Sequence, residues 1–184
     1  MHENARMFQD KIKSLIRTVP DFPKPGIPFR DITTLLKDAE GLRLTIDAFA
    51  ARCQSQSIDI VAGIESRGFI VGAPLALALG VGFVPIRKPG KLPAGKVGVD
   101  YQLEYGSDRV ELHADAIAAG TRVLLIDDLV ATGGTALAAA TLIEKVGGRI
   151  VECLFVIDLP GLGGRKRLES RGYRTFALCE FEGG

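Results

Sequence analysis

Apolar residues at Ala5, Phe8, Ile12, Leu15 and Ile16 recur at steps of three and four, which predicts an amphipathic helix ending before Pro20. Leu42, Ile46, Phe49 and Cys53 keep the same spacing and predict a second helix. Beyond them the pattern alternates between two kinds of segment. Ile58 to Ile64 is a short β-branched run, Gly68 to Leu79 reads as a buried helix and Val81 to Ile86 as another strand, together one βαβ unit. Arg122 to Asp127, Ile150 to Ile157 and Thr175 to Cys179 read as three more buried strands, with a core helix over Gly134 to Val146. Strands separated by helices predict an α/β fold, a mostly parallel twisted sheet with helices on both faces.

Two stretches depart from this alternation. Pro20 to Phe29 contains Pro20, Pro23, Pro25 and Pro28. Their fixed φ angles and missing donors exclude a helix or a central strand, so this is a stiffened loop. In Lys88 to Leu112, the residues Val97, Val99 and Tyr101, then Val110 and Leu112, alternate with polar ones as in a hairpin, which is expected to project as a flap. A third stretch, Gly68 to Ile86, carries no charge and approaches the length of a membrane span. Pro74, Pro85, Gly72, Gly80 and Gly82 break it into helix, turn and strand, so it reads as the interior of an α/β protein.

Composition narrows the function classes. The chain has 184 residues and 47% apolar content, the size of one ordinary domain with a real core, so residues 1–184 are expected to form one unit. With 23 basic against 22 acidic side chains it lacks the clustered positive excess of a nucleic-acid or membrane-surface binder. Cys53, Cys153 and Cys179 are odd in number and widely spaced, which fits a reducing cytoplasm rather than a disulfide framework or a zinc site. Met1 to Ile16 has no continuous apolar core of a secretory signal. His2 and His113 stand outside every motif.

The chemistry is concentrated in Val123-Leu124-Leu125-Ile126-Asp127-Asp128-Leu129-Val130-Ala131-Thr132-Gly133-Gly134-Thr135. A buried strand ends in two acids, and a loop of small residues leads into a helix. The loop Ala131 to Thr135 presents backbone N–H groups, two hydroxyls and a helix N-terminus, a setting for a phosphate dianion. Two carboxylates beside a phosphate make sense when they meet sugar hydroxyls, a Mg²⁺ shell or developing positive charge on the same ligand. Glu65-Ser66-Arg67-Gly68 is a second strand end turning into a helix, whose amides and Arg67 suit a second anion. Arg87, Lys88 and Lys91 add positive charge after a neighbouring strand. Gly90 to Val97 satisfies seven positions of a Walker A loop, but Val97 replaces the required Ser or Thr and a strand pattern follows. Gly161-Leu162-Gly163-Gly164 does not complete a dinucleotide fingerprint and reads as a loop.

The strand–acid–acid–loop segment resembles the 5-phosphoribosyl-1-pyrophosphate (PRPP) motif of the type I phosphoribosyltransferases. Phe29-Arg30-Asp31-Ile32, Glu65-Ser66-Arg67-Gly68-Phe69, Ile86-Arg87-Lys88-Pro89-Gly90-Lys91-Leu92-Pro93 and Leu103-Glu104-Tyr105-Gly106 follow the order seen in the adenine-specific branch of that family. The resemblance spans about Ile12 to Glu180. It implies the type I phosphoribosyltransferase fold, with an N-terminal helix and base-covering hood over about 1–36 and a flexible β-hairpin flap over about 88–112. It further implies PRPP binding by Asp127, Asp128, Ala131, Thr132, Gly133, Gly134 and Thr135, and pyrophosphate binding by Glu65, Ser66, Arg67, Arg87, Lys91 and Tyr105.

For the base, the resemblance implies a purine between Phe29 and Leu129, with the Pro28 carbonyl accepting from an exocyclic amine and the Arg30 N–H donating to a ring nitrogen. That pairing selects a 6-aminopurine over a 6-oxopurine, whose edge has the opposite pattern. Glu104 is implied as the proton-transfer group at the base, with Arg67, Asp127 and Asp128 completing the catalytic set. Mg²⁺ is implied as cofactor, held through PRPP and water with no direct protein ligand. Adenine and PRPP are the implied substrates, AMP and pyrophosphate the products, and the family is commonly homodimeric. Two alternatives stand beside this reading: a non-catalytic PRPP sensor, against which the chain has no room for an effector module, and a transferase for another base, which would differ mainly in the hood.

Overall fold

The computed structural model describes residues 2–103 and 106–182. Helix α1 (His2–Ser14) precedes β1 (Arg17–Val19), which pairs antiparallel with β2 (Phe29–Asp31); α2 (Thr33–Lys37) and α3 (Ala39–Cys53) follow. Next come β3 (Ile60–Ile64), α4 (Arg67–Leu79), β4 (Gly82–Ile86) and the antiparallel hairpin β5 (Lys96–Leu103) and β6 (Gly106–His113). The chain continues through β7 (Arg122–Val130), α5 (Gly134–Lys145), β8 (Arg149–Asp158), α6 (Gly164–Glu169) and β9 (Thr175–Glu180).

A parallel sheet in the order β4-β3-β7-β8-β9 carries the fold. Both of its faces are covered, and the central strand shows why its sequence is an unbroken apolar run. Val123 and Leu125 join the core beneath α5, whereas Leu124 and Ile126 join the core beneath α3 and α4. Each such fully buried side chain contributes about 1.5–3 kcal/mol relative to exposure. The chain winds outward from β3 to β4 on one side and from β7 through β8 to β9 on the other. The carboxyl ends of β3 and β7 therefore meet at a topological switch point, the crevice where open α/β sheets bind ligands.

Several expectations need correction. The uncharged segment divides as expected into helix, turn and strand, although Pro74 is not one of its breaks: it lies inside α4, and the helix ends at Gly80, which takes the left-handed conformation at φ 69°. Burial of Val71, Leu75 and Ala76 holds that helix together across the missing hydrogen bond. Pro85 is tolerated because β4 is an edge strand. The strand expected to end at Asp127 runs on to Val130, since β8 continues beside it to Asp158 and the Leu159 N–H reaches the Val130 carbonyl at 3.1 Å. Asp127 and Asp128 are thus inside the strand rather than beyond it. The glycine-rich stretch read as a loop is a short 3₁₀ turn over Pro160–Leu162 followed by α6, and the short pair β1–β2 was hidden by the prolines between its strands.

The hairpin strands are shorter than the 88–112 stretch, and they do not stand clear of the body. Tyr101, Val110 and Leu112 belong to the core beneath α5, with Val97 and Val99 packed against it. A bridge between Arg87 and Glu111, each N–H reaching the other's carbonyl at 2.8 Å, joins the loop after β4 to β6.

Candidate active site

Three glycines allow the backbones of the crevice to meet. A Cβ on Gly68 would stand 2.9 Å from the Ile126 carbonyl oxygen and 3.0 Å from Asp127 Oδ1, so only glycine lets the start of α4 press against the end of β7. Gly133 takes φ 75° at the entry to α5. A Cβ on Gly164 would stand 2.3 Å from the Ala131 oxygen and 2.6 Å from the Gly133 nitrogen. Gly164 N–H donates to that Ala131 carbonyl at 2.9 Å. The turn after β8 thereby takes up the Ala131 carbonyl and packs against the Gly133 backbone. Gly163-Gly164 is a part of the site that sequence reasoning missed, although the adjacent glycines were the available sign.

The loop Ala131 to Thr135, Asp127, Asp128 and Arg67 line one cavity of about 200 Å³. Arg67, the first residue of α4, donates from Nε to Asp128, whose side chain is almost fully buried while the guanidinium is partly exposed. Asp127 Oδ1 accepts from the Asp128 N–H at 2.8 Å. Burial first and the neighbouring Asp128 charge second push the Asp127 carboxyl well above the ordinary carboxylate range. The strand end thus holds two acids of unlike character, one matched by a cation and one resisting ionisation.

The hood reaches the same crevice. The Phe29 ring lies 5.6 Å from the Arg67 guanidinium carbon and packs edge-on against Phe22 at 5.1 Å. Arg30 turns its side chain away, donating to Thr18 Oγ1 at 2.5 Å and to the Glu182 carbonyl at 3.1 Å, with its guanidinium 4.5 Å from the Phe181 ring centre. Asp31 accepts from Arg17 and from the Thr33 N–H, and these bonds hold its carboxyl down at about 2. Leu129, partly buried, follows Asp128 on β7.

On the other side of α4, Glu65 accepts from Arg87 Nε at 2.9 Å and from the Lys88 N–H at 2.8 Å, and the Arg87 guanidinium holds it below its usual value. Ser66 precedes α4 without a side-chain cap, so its first-turn amides are not taken by that hydroxyl. Lys91 is exposed. Lys88 is drawn instead into a cluster with Tyr101 and Asp108. Burial works against its charge, but bonds to Asp108 and Tyr101 outweigh that and raise its pKa. Lys88 was expected only as one of three basic residues after β4, and Tyr101 and Asp108 were not expected at the site. Their sign in the sequence was a tyrosine on the apolar face of the hairpin. Glu104 and Tyr105, expected as proton-transfer group and pyrophosphate contact, lie outside the described residues. Among the described residues no group of three or more His, Cys, Asp or Glu is arranged to hold a metal ion, and no helix is long and apolar enough to cross a membrane.

Residues 32–179 match the family model of the phosphoribosyl transferase domain. The chain is 68% identical to the adenine phosphoribosyltransferase of Nitrosospira multiformis over 173 residues, 94% of this chain and 99% of that one. Its structure resembles the crystal structure of adenine phosphoribosyltransferase from Thermoanaerobacter pseudethanolicus with a TM-score of 0.90 at 49% identity, covering 94% and 99% of the two chains. The Saccharomyces cerevisiae enzyme, solved with D-2,5-dideoxy-2,5-imino-altritol 1,6-bisphosphate and adenine, gives a TM-score of 0.89 at 40% identity, with the same coverage of both chains. With an acid pair and an amide-lined loop at the switch point and such relatives along nearly its whole length, this chain belongs to the adenine phosphoribosyltransferase family of pentosyltransferases.

Proposed function

We propose that the chain transfers the 5-phosphoribosyl group of PRPP to N9 of adenine, releasing AMP and pyrophosphate. The observation that carries this is the meeting of Asp127, Asp128, the Ala131–Thr135 loop, Arg67 and Phe29 at one crevice. The loop amides and the α5 N-terminus receive the 5-phosphate. Asp127 and Asp128 face the ribose hydroxyls and the positive charge that develops on the sugar. Arg67 exchanges its Asp128 bond for the pyrophosphate, joined by the Glu65–Ser66 backbone, Arg87, Lys91 and Tyr105. Mg²⁺, when bound, would neutralise charge on the departing pyrophosphate, held through PRPP and water beside Asp127 and Asp128 rather than by a direct protein ligand. The oxygen-rich acid pair suits such a water shell. Adenine stacks between Phe29 and Leu129 with its amine on the Pro28 carbonyl and its ring nitrogen on the Arg30 N–H, and Glu104 handles the proton at the base. Positioning and electrostatics supply most of the rate.

Residues 1–184 act as one unit in this reading, with residues 1–36 as hood and 88–112 as flap. A homodimer in the cytoplasm completes it. The outer face of α4 supports the dimer: Leu77 is 83% exposed and Ile70 46%, with Ala73 exposed between them, and Gly68 to Ile86 has no charge. Such a face calls for a cover. The test is a chromatographic assay of the purified protein with PRPP and Mg²⁺, with adenine, hypoxanthine, guanine, xanthine and uracil offered separately. AMP and pyrophosphate are expected from adenine alone. Turnover of a 6-oxopurine overturns the hood assignment, and PRPP binding without turnover of any base overturns catalysis.

A further inference from the structure

One side chain near the turn end of the hairpin, where Tyr101 pairs with Asp108, touches three parts of the site at once. Tyr101, on β5, is 9% exposed. Its hydroxyl accepts from Lys88 Nζ at 2.8 Å and from Thr135 Oγ1 at 3.2 Å, and donates to Asp108 Oδ2 at 2.9 Å. A phenol has one hydrogen and two lone-pair positions, so its bonding capacity is fully used. Lys88 also bonds Asp108, closing a triangle. Lys88 belongs to the basic loop after β4, Asp108 to β6 and Thr135 to the first turn of α5. The Tyr101 ring and the Gln102 carbonyl oxygen each lie 3.7 Å from where a Cβ on Gly134 would stand, so β5 rests against the start of that helix.

We propose that Tyr101 is a positioning residue for PRPP: its hydroxyl fixes the Thr135 side chain at the phosphate loop and ties that loop to Lys88 and the hairpin. The proposal rests on the reading of Ala131 to Thr135 as the phosphate cradle. Thr135 has one hydroxyl hydrogen, now given to Tyr101. A phosphate seated on the loop takes that hydrogen and leaves the Thr135 oxygen as an acceptor. Tyr101 then turns its own hydrogen from Asp108 to Thr135, and Lys88 still balances Asp108. The oxygen–oxygen contact persists in both states with its donor reversed, so Thr135 keeps one rotamer whether or not phosphate is bound. Held in that way, the hydroxyl loses no rotamer freedom on binding.

Tyr101→Phe removes one oxygen and keeps the ring packing. One hydrogen bond of about 1.4 kcal/mol corresponds to tenfold, so KM for PRPP is expected to rise about tenfold, with kcat changed less than twofold and KM for adenine and the melting temperature unchanged. Affinity for ribose 5-phosphate, which carries the phosphate alone, falls by the same factor, while affinity for pyrophosphate stays. Thr135→Val raises KM for PRPP further, and the double variant is no worse than Thr135→Val by itself. An unchanged KM for PRPP in Tyr101→Phe, or losses that multiply in the double variant, overturns the proposal and leaves the cradle standing. Equal rises in both KM values with a lower melting temperature also overturn it, since they mark Tyr101 as structural. A silent Thr135→Val removes the cradle reading as well.

Discussion

The Ala131–Thr135 loop and the hood face one crevice and are built by different means. The loop from Ala131 to Gly133 is held by backbone: Gly164 N–H on the Ala131 carbonyl, Leu159 N–H on the Val130 carbonyl, and glycines that bring the two turns together. The hood is anchored by the β1–β2 ladder and the buried Ile16 and Ile32, but its base-facing part is held by side chains near water. Arg17 pairs with Asp31, Arg30 lies over Phe181, and Phe22, half exposed, leans on Phe29. Backbone bonds between buried strands yield only with the sheet, whereas exposed pairs contribute about 0–1 kcal/mol each. In the proposed reading, the phosphate common to substrate and product meets a receptor held by buried backbone, and the base meets a cover whose facing side is held largely by exposed side chains.

The sharpest way to break this comparison is at the acids. Asp128→Ala removes the Arg67 partner and the ribose contact, and turnover is expected to fall by roughly a thousandfold with little change in melting temperature. A near-normal rate in a steady-state assay would end the ribose role. Gly164→Ala strikes the loop through its brace and leaves the acids alone. The new Cβ meets backbone, so kcat/KM for PRPP should fall about a hundredfold, while Gly161→Ala, with nothing within 4 Å, stays at the parent value. Equal behaviour of the two variants would refute the brace.

Asp127→Asn separates stability from activity. Because burial and Asp128 raise the folded pKa of Asp127 above its unfolded value, the folded state binds the extra proton more tightly at low pH. That stability is present below the unfolded value and lost as pH rises through the folded one. At pH 7 the asparagine should therefore raise the melting temperature by roughly 2–4 °C while lowering turnover, and the thermal gain should vanish on acidification. A lower melting temperature at pH 7 would contradict the sign. The smallest effect belongs to the hood. Arg17→Gln should raise KM for adenine about twofold and leave KM for PRPP alone. The Asp31 contribution has the opposite pH sense: present above the ordinary carboxylate value of 3.8 and lost as pH falls toward about 2. A change confined to PRPP would reverse the assignment of the two regions.

Local patterning was legible wherever burial was two-sided or a helix had one wet face. Val123 to Ile126 announces a covered parallel strand, and Asp127-Asp128 with the small-residue loop announces an anion site beside two acids. What stayed hidden shares one cause. Pro74 reads as one of the breaks of the uncharged stretch because proline removes a donor, yet packing of α4 carries the expected helix through it. Gly164 reads as loop because its role is a 2.9 Å contact with Ala131, far away in sequence. Tyr101 reads as a hairpin residue because Thr135, its partner, stands 34 positions later.

The sequence by itself determined the α/β layering, the strands that carry the site and the residue types proposed to meet phosphate, sugar and base, because periodicity and turn chemistry act within a few residues. Only the tertiary structure decided that Arg67 faces Asp128 across 61 positions, that the turn after β8 braces the Ala131–Thr135 loop, and that the turn end of the hairpin is tied to α5 through one phenol. Those contacts depend on strand order and on how closely two backbones approach. Neither is encoded in the spacing of residues along the chain; both follow from burying the two faces of one twisted sheet.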